Sequence, residues 1–508
     1  MKREMTMNKK NLLLVTLILL MLSLCACGKG GADEDKENSI VVGVSQDMDS
    51  LDPHKAVAAG TKEILFNIFE GLVKPDTEGN LNPAVAEKYE ISEDGMKYTF
   101  TLREGISFHN GEKVTASDVE YSIKRCAGML DVPEEGVVVE SALSVISQVN
   151  VIDEKTIELV LDKKDTELLG YLTFAIIPKD YKDMASNPVG TGPFKFDSYK
   201  PLENIVIAKN EDYWGDKAYL DKVTFKISAD TDALFLELMG GSVDIIPYLT
   251  DAQAQSLPKG YELKVGTMNL VQGVYFNCDR APFDNEKVRQ ALCYVIDREN
   301  IIDMVAGGRG EVTGSNVSPR FAKYFSKEAR DLYSKDIKKA KELLKEAGVD
   351  KLQFTLTVPS NYTFHVDTAQ IVASQLKEAG ITVTIEQVDW ATWLSRVYGD
   401  RDYQATIIGL ASDLAPSDTV ARFYSEASNN FVNYNSKTFD ELFEQAKATS
   451  DDNEKIRLYN EIQMLMAKDA PAAYIQDPAL LMAVNENLEG VRFYPVQVLD
   501  MAGIKYKD

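Results

Sequence analysis

The sequence predicts an α/β protein built as two lobes, on three observations. Once the first 26 of its 508 residues are set aside, 482 remain, more than a single hydrophobic core comfortably accommodates. The first part of that body is rich in strand patterns, whereas from about Val271 helices and strands take turns. The string LKEAG occurs twice, at 344–348 and 376–380, each time closing a helical pattern and preceding a strand pattern. That offset of 32 residues is the length of one βα unit.

The chain opens on Lys2, Arg3, Lys9 and Lys10, followed by an apolar stretch from Leu12 to Ala26. A membrane-spanning helix needs about 20 apolar residues, so this shorter stretch reads as a secretory signal, residues 1–26. Leu24-Cys25-Ala26-Cys27-Gly28 resembles the bacterial lipoprotein box, which makes Cys27 the expected acylated residue. An ordinary cleaved signal is the alternative. Acyl chains contribute about 0.8 kcal/mol per buried methylene, so two or three of them hold a protein at a membrane without a spanning helix. Residues 27–38 are small and acidic, as a solvated tether requires. The expected location is the extracellular face of a cell membrane.

In the body, IVVGV (40–44) reads as a buried strand, and KYTFTLR (97–103) alternates Tyr98, Phe100 and Leu102 on one face. Thr115 and Asp118 form a capping box ahead of a helix. Residues 149–161 read as a hairpin turning at Asp153-Glu154. From Asp284, one helical stripe of Val288, Leu292, Val295 and Ile296 runs towards Gly307. The repeated units and QATIIGLAS (404–412) predict a parallel sheet covered on both faces. Two helices from about Ser436 close the second lobe, and the tail returns to strand texture, as if crossing back to the first.

Composition narrows the function. The formal charge is -24, and removing four basic and one acidic residue with the signal takes it to about -27. Such a body does not suit nucleic acid, whose phosphates are met by clusters of Lys and Arg. After Cys27 only Cys126, Cys278 and Cys293 remain, no disulfide framework, although a Cys278–Cys293 bridge stays open. There is no G-x-S-x-G elbow, H-E-x-x-H helix, Walker A loop or G-x-G-x-x-G turn. The three histidines, His54, His109 and His365, are scattered among different elements. No metal site, cofactor or catalytic group is therefore expected.

Several ordered blocks then carry a resemblance: SLDPHKAVAAGTKEILFNIFEGLV (50–73), YTFTLREGISFHNGEKVTASDVEYSIKR (98–125), GTGPFKF (190–196), NEDYWG (210–215), GSVDI (241–245) and YFNCDRAPFDNEKVRQALCYVIDRENI (275–301). Residues 439–471 add a pair of closing helices. Together they resemble the family 5 extracellular solute-binding proteins, receptors of oligopeptide, dipeptide and nickel ABC importers. The resemblance implies a two-lobed, periplasmic-binding-protein-like α/β fold of type II, cluster C, with an extra subdomain inserted in lobe I. Lobe I is expected over 39–268 with the insertion at about 71–187, lobe II over 269–480, and a return to lobe I over 481–508. It further implies a monomer that serves a membrane permease and its ATPase pair.

The resemblance also implies ligand contacts. In IGLASD (408–413), Gly409 and Ala411 would offer backbone groups to an extended peptide, and Asp413 would pair with its ammonium; capping a following helix is the competing role for Asp413. Ala59 in the first-lobe loop, Tyr121, His365, Trp390 and Tyr398 match further cleft positions, with core packing as the competing role for Tyr121, Trp390 and Tyr398 and helix capping for His365. Arg309, Arg320 and Arg422 are unranked candidates for a ligand carboxylate. Leu410 stands where peptide-binding relatives commonly carry tryptophan, which leaves a non-peptide solute open; a surface hydrolase is the alternative from a different class.

Overall fold

The computed structural model describes residues 38–360, 362–412 and 414–507; the expected signal, tether and Cys27, and also Asp413, lie outside the described residues. The first lobe is organised by a seven-stranded mixed sheet. Its order is Tyr261–Thr267, Ala479–Asn485, Ile245–Ile246, Ser39–Val44, Lys222–Ile227, Asn204–Lys209 and Phe194–Lys200. The apolar run 40–44 lies at its centre, parallel to Lys222–Ile227 on one side and Ile245–Ile246 on the other, with Val42 fully buried.

Between its first strand and Phe194–Lys200 the chain builds a separate antiparallel sheet of Ala86–Ile91, Lys97–Leu102, Thr156–Leu161 and Ile146–Val151. Tyr98, Phe100 and Leu102 are buried on one face of it, against Val119 and Ile123 of the helix Ala116–Cys126. The Asp118 carboxylate accepts from the Thr115 backbone N–H at 2.9 Å and from its hydroxyl at 2.7 Å, so the helix starts where the cap pattern places it.

The second lobe holds a six-stranded sheet in the order Glu311–Val312, Ala472–Asp477, Leu270–Phe276, Ala405–Ala411, Gln353–Pro359 and Thr382–Val388. The last three run parallel to one another, while Leu270–Phe276 pairs antiparallel on both sides. Ala405 and Ile407 face one core and Ile408 and Leu410 the other, so the inner strands are covered on both faces. Thr382–Val388 is an edge strand and half-exposed.

Both copies of LKEAG end their helices in the same way. Gly348 and Gly380 take φ values of 72° and 86°, which glycine adopts without a Cβ clash. The N–H of Val349 then reaches the Leu344 carbonyl, and that of Ile381 the Leu376 carbonyl, at 2.9 and 3.1 Å, the six-to-one bond of a glycine-capped helix end.

One expectation fails. The stripe from Val288 to Gly307 is two helices, Glu286–Val295 and Arg298–Ala306. Ile296 turns extended at ψ 110°, and the Asp297 carboxylate caps the second helix by accepting from the Asn300 N–H at 3.1 Å. A side chain that satisfies orphan amides starts a new helix in the middle of a continuous apolar pattern.

The chain passes between the two large sheets at Met268–Asn269 and again at Pro478. There the Met268 N–H donates to the Pro478 carbonyl at 3.1 Å, and Asn269 sits at φ 48°. Cys126, Cys278 and Cys293 are free thiols, so Cys278 and Cys293 are not bridged.

Candidate functional site

A cleft of about 1530 Å³ is lined by the first lobe, the inserted sheet's loops and the second lobe together. Ala59 lines it from the first lobe, at the start of the helix Ala59–Leu65. The loop leading there is held by Asp49, whose carboxylate accepts from the Val57 and Ala58 amides at 2.7 and 3.0 Å.

On the facing wall, the strand Ala405–Ala411 presents a free edge. Its pairing with Gln353–Pro359 reaches only Ala405 and Thr406. Gly409 directs its N–H to that same side, because it donates to His365 Nε2 at 3.2 Å and not to the opposite strand. Peptide groups alternate sides along a strand, so Ala411, two residues on, also aims its N–H and C=O at this edge. Ala411 is exposed and lines the cleft, as does Ser412.

Four other expected contacts have protein partners in this structure, as does the Gly409 N–H. The Gly409 amide is already taken by His365, so that group cannot serve a ligand. His365 is buried inside the second lobe, its Nε2 accepting from Gly409 and its Nδ1 2.9 Å from the Gln272 side-chain amide. Burial pulls its pKa down to about 4, which leaves a neutral ring and no cation for a carboxylate. Trp390 stacks on the buried Trp393 with ring centroids 5.1 Å apart, and Tyr398 packs on Phe431 at 5.5 Å; both extend the aromatic core and neither lines the cleft. Tyr121 rests against the first-lobe core and donates its hydroxyl to Glu134 at 2.7 Å. His54 and His109 donate from Nε2 to the carbonyls of Ala175 and Gly192 at 2.7 and 3.0 Å, structural roles for both.

Among the three arginines, Arg309 is paired with Asp251, and Arg320 lies 3.1 Å from Glu311 at the surface. Arg422 lines the cleft and makes no side-chain hydrogen bond or ion pair among the described residues. Glu140 enters from the inserted subdomain; burial, together with the charge of Asp418 across the cleft, raises its pKa, against the opposing Ala142 amide bond. Lys62 lines the same space. The cleft therefore carries both signs of charge beside an open strand edge, an arrangement that suits a zwitterionic, extended ligand. Glu140 and Tyr171 escape sequence reasoning because they belong to short 3-10 turns without amphipathic period, and Trp214 lies in the NEDYWG block but carries no sign there that it faces the cleft.

The comparisons agree with this architecture. Residues 80–431 match the family model of the bacterial extracellular solute-binding proteins, family 5, middle region. The dipeptide-binding protein of Escherichia coli (strain K12) is 28% identical over 450 residues, covering 80% of this chain and 83% of that protein. Among solved structures, the ABC transporter substrate-binding protein CtaP of Listeria monocytogenes superposes with a TM-score of 0.82 at 27% identity, covering 92% of this chain and 99% of that one. The periplasmic binding protein DppA of Helicobacter pylori, in complex with the peptide STSA, superposes with a TM-score of 0.80 at 26% identity, covering 94% and 100%.

Proposed function

Because the chain belongs to the family 5 bacterial extracellular solute-binding proteins, we propose that it is the receptor of an ABC importer that captures short peptides. The observation that carries this reading is the open edge at Ala411 within a cleft of about 1530 Å³. Pockets for drug-sized ligands run to about 1,000 Å³, so an extended chain of several residues has room here. The peptide adds as a strand to the edge, taking its affinity from main-chain hydrogen bonds that tolerate varied side chains. Asp413 pairs with the peptide ammonium, and Arg422, unpaired among the described residues, meets a peptide carboxylate.

The receptor is tethered through acylated Cys27 at the outer face of a membrane and delivers its ligand to a permease with ATPase subunits. Lobe I spans 39–268 with the insertion at about 71–187, lobe II 269–480, and the tail 481–508 rejoins lobe I. Native mass spectrometry of the purified protein tests the ligand class. A ladder of added masses resolving into short peptides is expected, and a single non-peptide mass refutes it. Asp413→Asn is expected to weaken peptide binding tenfold or more, and an unchanged affinity rejects the ammonium contact.

A further inference from the structure

Beyond the cleft, the inserted subdomain grips the second lobe through one short segment. After the strand Thr156–Leu161, residues 163–171 leave the subdomain sheet and meet the helices Lys437–Ala448 and Asp452–Asp469 and the loop 415–417. The Asp165 carboxylate lies 2.9 Å from Lys447 Nζ. The Thr166 N–H donates to the Lys447 carbonyl at 2.9 Å, and its hydroxyl accepts from Lys455 Nζ at 2.6 Å. Glu167 accepts from the Tyr459 hydroxyl at 2.6 Å and from the Ser417 backbone N–H at 2.7 Å, with Lys455 Nζ at 3.5 Å. Tyr171 Oη and Ser417 Oγ are 3.0 Å apart, and Gly170 lies so close to Ala415 that a Cβ on it would sit 2.9 Å from the alanine methyl.

These are buried charges. The side chains of Asp165, Glu167 and Lys455 are 1%, 2% and 8% exposed. Buried ions persist only when paired and fully hydrogen-bonded, and every partner of the Glu167 carboxylate among the described residues comes from the second lobe. The lobes are also joined covalently at Met268–Asn269 and Pro478 and by the Arg309–Asp251 ion pair, so a rotation that draws the inserted subdomain away from the second lobe parts this contact and returns its charges to water. Ser417, which Glu167 holds, lies six residues beyond Ala411, on the segment that lines the cleft with Ser412 and Leu414.

We propose that residues 163–171 form a closure latch between the inserted subdomain and the second lobe. Within it, Glu167 is a positioning residue that fixes the cleft segment 411–417. Ligand release then requires the latch to part, so the latch governs dissociation and leaves association nearly unchanged. The positioning role rests on the cleft being the ligand site; the latch itself does not.

Two readouts keep those apart. In the ligand-free protein, hydrogen exchange followed by mass spectrometry reads the latch alone. Glu167→Ala is expected to speed exchange at 411–418 and 447–459 at least tenfold, with Leu270–Phe276 unchanged. With the tetrapeptide Ser-Thr-Ser-Ala as probe, the same variant is expected to release peptide at least tenfold faster, with association within threefold. Glu167→Gln keeps an acceptor for the Ser417 amide and should restore most of the slow release. Adding Lys455→Met to Glu167→Ala removes the stranded cation and should restore part of it. A folded Glu167→Ala protein with unchanged exchange at both segments overturns the latch. Faster exchange with unchanged peptide release overturns the positioning role. A wild-type protein that binds no peptide rejects the peptide reading and leaves the exchange experiment to decide the latch.

Discussion

Asp477 offers the sharpest test of how the crossing between the sheets is held. It ends the strand Ala472–Asp477, is fully buried, and lies immediately before Pro478. One carboxylate oxygen accepts from the Leu270 N–H at 3.3 Å and the other from the Ser318 hydroxyl at 2.5 Å, with no salt bridge among the described residues and only the more distant charge of Arg320 favouring ionisation. Burial raises its pKa from 3.8 to about 6, opposed by those two bonds. At about 1.4 kcal/mol per pH unit, the ionised form costs the folded state about 3 kcal/mol well above pH 6. The sign follows from the raised value. The folded protein binds the proton more tightly than the unfolded chain, so this group destabilises increasingly as pH rises from 4 through 6. Asp477→Asn keeps an acceptor for Leu270 without the charge. The wild-type protein should therefore lose stability relative to the variant by about 1 kcal/mol between pH 5 and pH 8, in urea unfolding at both pH values. Other titrating groups cancel in that difference. A gap independent of pH would show that Asp477 is not a buried, uncompensated carboxyl.

Further tests address other contacts. Ala411→Pro removes the N–H from the open strand edge and is expected to weaken tetrapeptide binding about tenfold in calorimetry, without change in the far-ultraviolet dichroism. Arg125→Ala strands the buried Asp52 carboxylate, which Arg125 holds with two bonds of 2.9 and 2.7 Å, and should cost about 3–5 kcal/mol in denaturant unfolding. The pair Arg125→Met with Asp52→Leu should recover most of that loss. His365 is held neutral with a pKa of about 4, so its stabilisation is complete above pH 6.5 and is lost as pH falls towards 4. Wild type should lose about 3 kcal/mol against His365→Asn between pH 7 and pH 4. Burial raises the thiols of Cys126 and Cys293 to about 12, so these two should react with iodoacetamide only on unfolding, as read by mass, whereas the half-buried Cys278 should react before them.

Local chemistry is legible in the sequence wherever it repeats or caps. The alternation of Tyr98, Phe100 and Leu102, the cap at Thr115 and the two LKEAG ends all arise from neighbours within six residues. The break at Asp297 was hidden because the apolar stripe continues across it, and only the cap decides that a second helix begins. Side-chain direction relative to the cleft was not legible at all. His365, Trp390 and Tyr398 belong to elements of the second lobe next to the expected strand, yet His365 turns into that lobe's interior and the half-buried Trp390 and Tyr398 pack against the margin of its aromatic core. Arg422 could be named but not ranked, because its lack of a partner among the described residues is a property of the assembled cleft.

The segment from Ala411 to Ser417 joins three features that are far apart in sequence. At its start, the Asn269 side chain, at the crossing between the sheets, donates to the Ser412 carbonyl at 3.1 Å. At its end, Glu167 of the inserted subdomain accepts from the Ser417 N–H at 2.7 Å. Between them lies the part of the second lobe that faces the cleft. A change in the angle between the lobes cannot occur without pulling on one end of this segment or releasing the other. Contacts that a ligand makes here are therefore coupled to lobe closure through two hydrogen bonds, because the groups that bind and the groups that close share seven residues. Replacing Asn269 with alanine should loosen the first tie while leaving the latch intact. Peptide dissociation should then quicken with exchange at 447–459 unchanged, whereas Glu167→Ala quickens both. If Asn269→Ala also frees 447–459, the two ties are one cooperative unit, and the separation between crossing and latch is wrong.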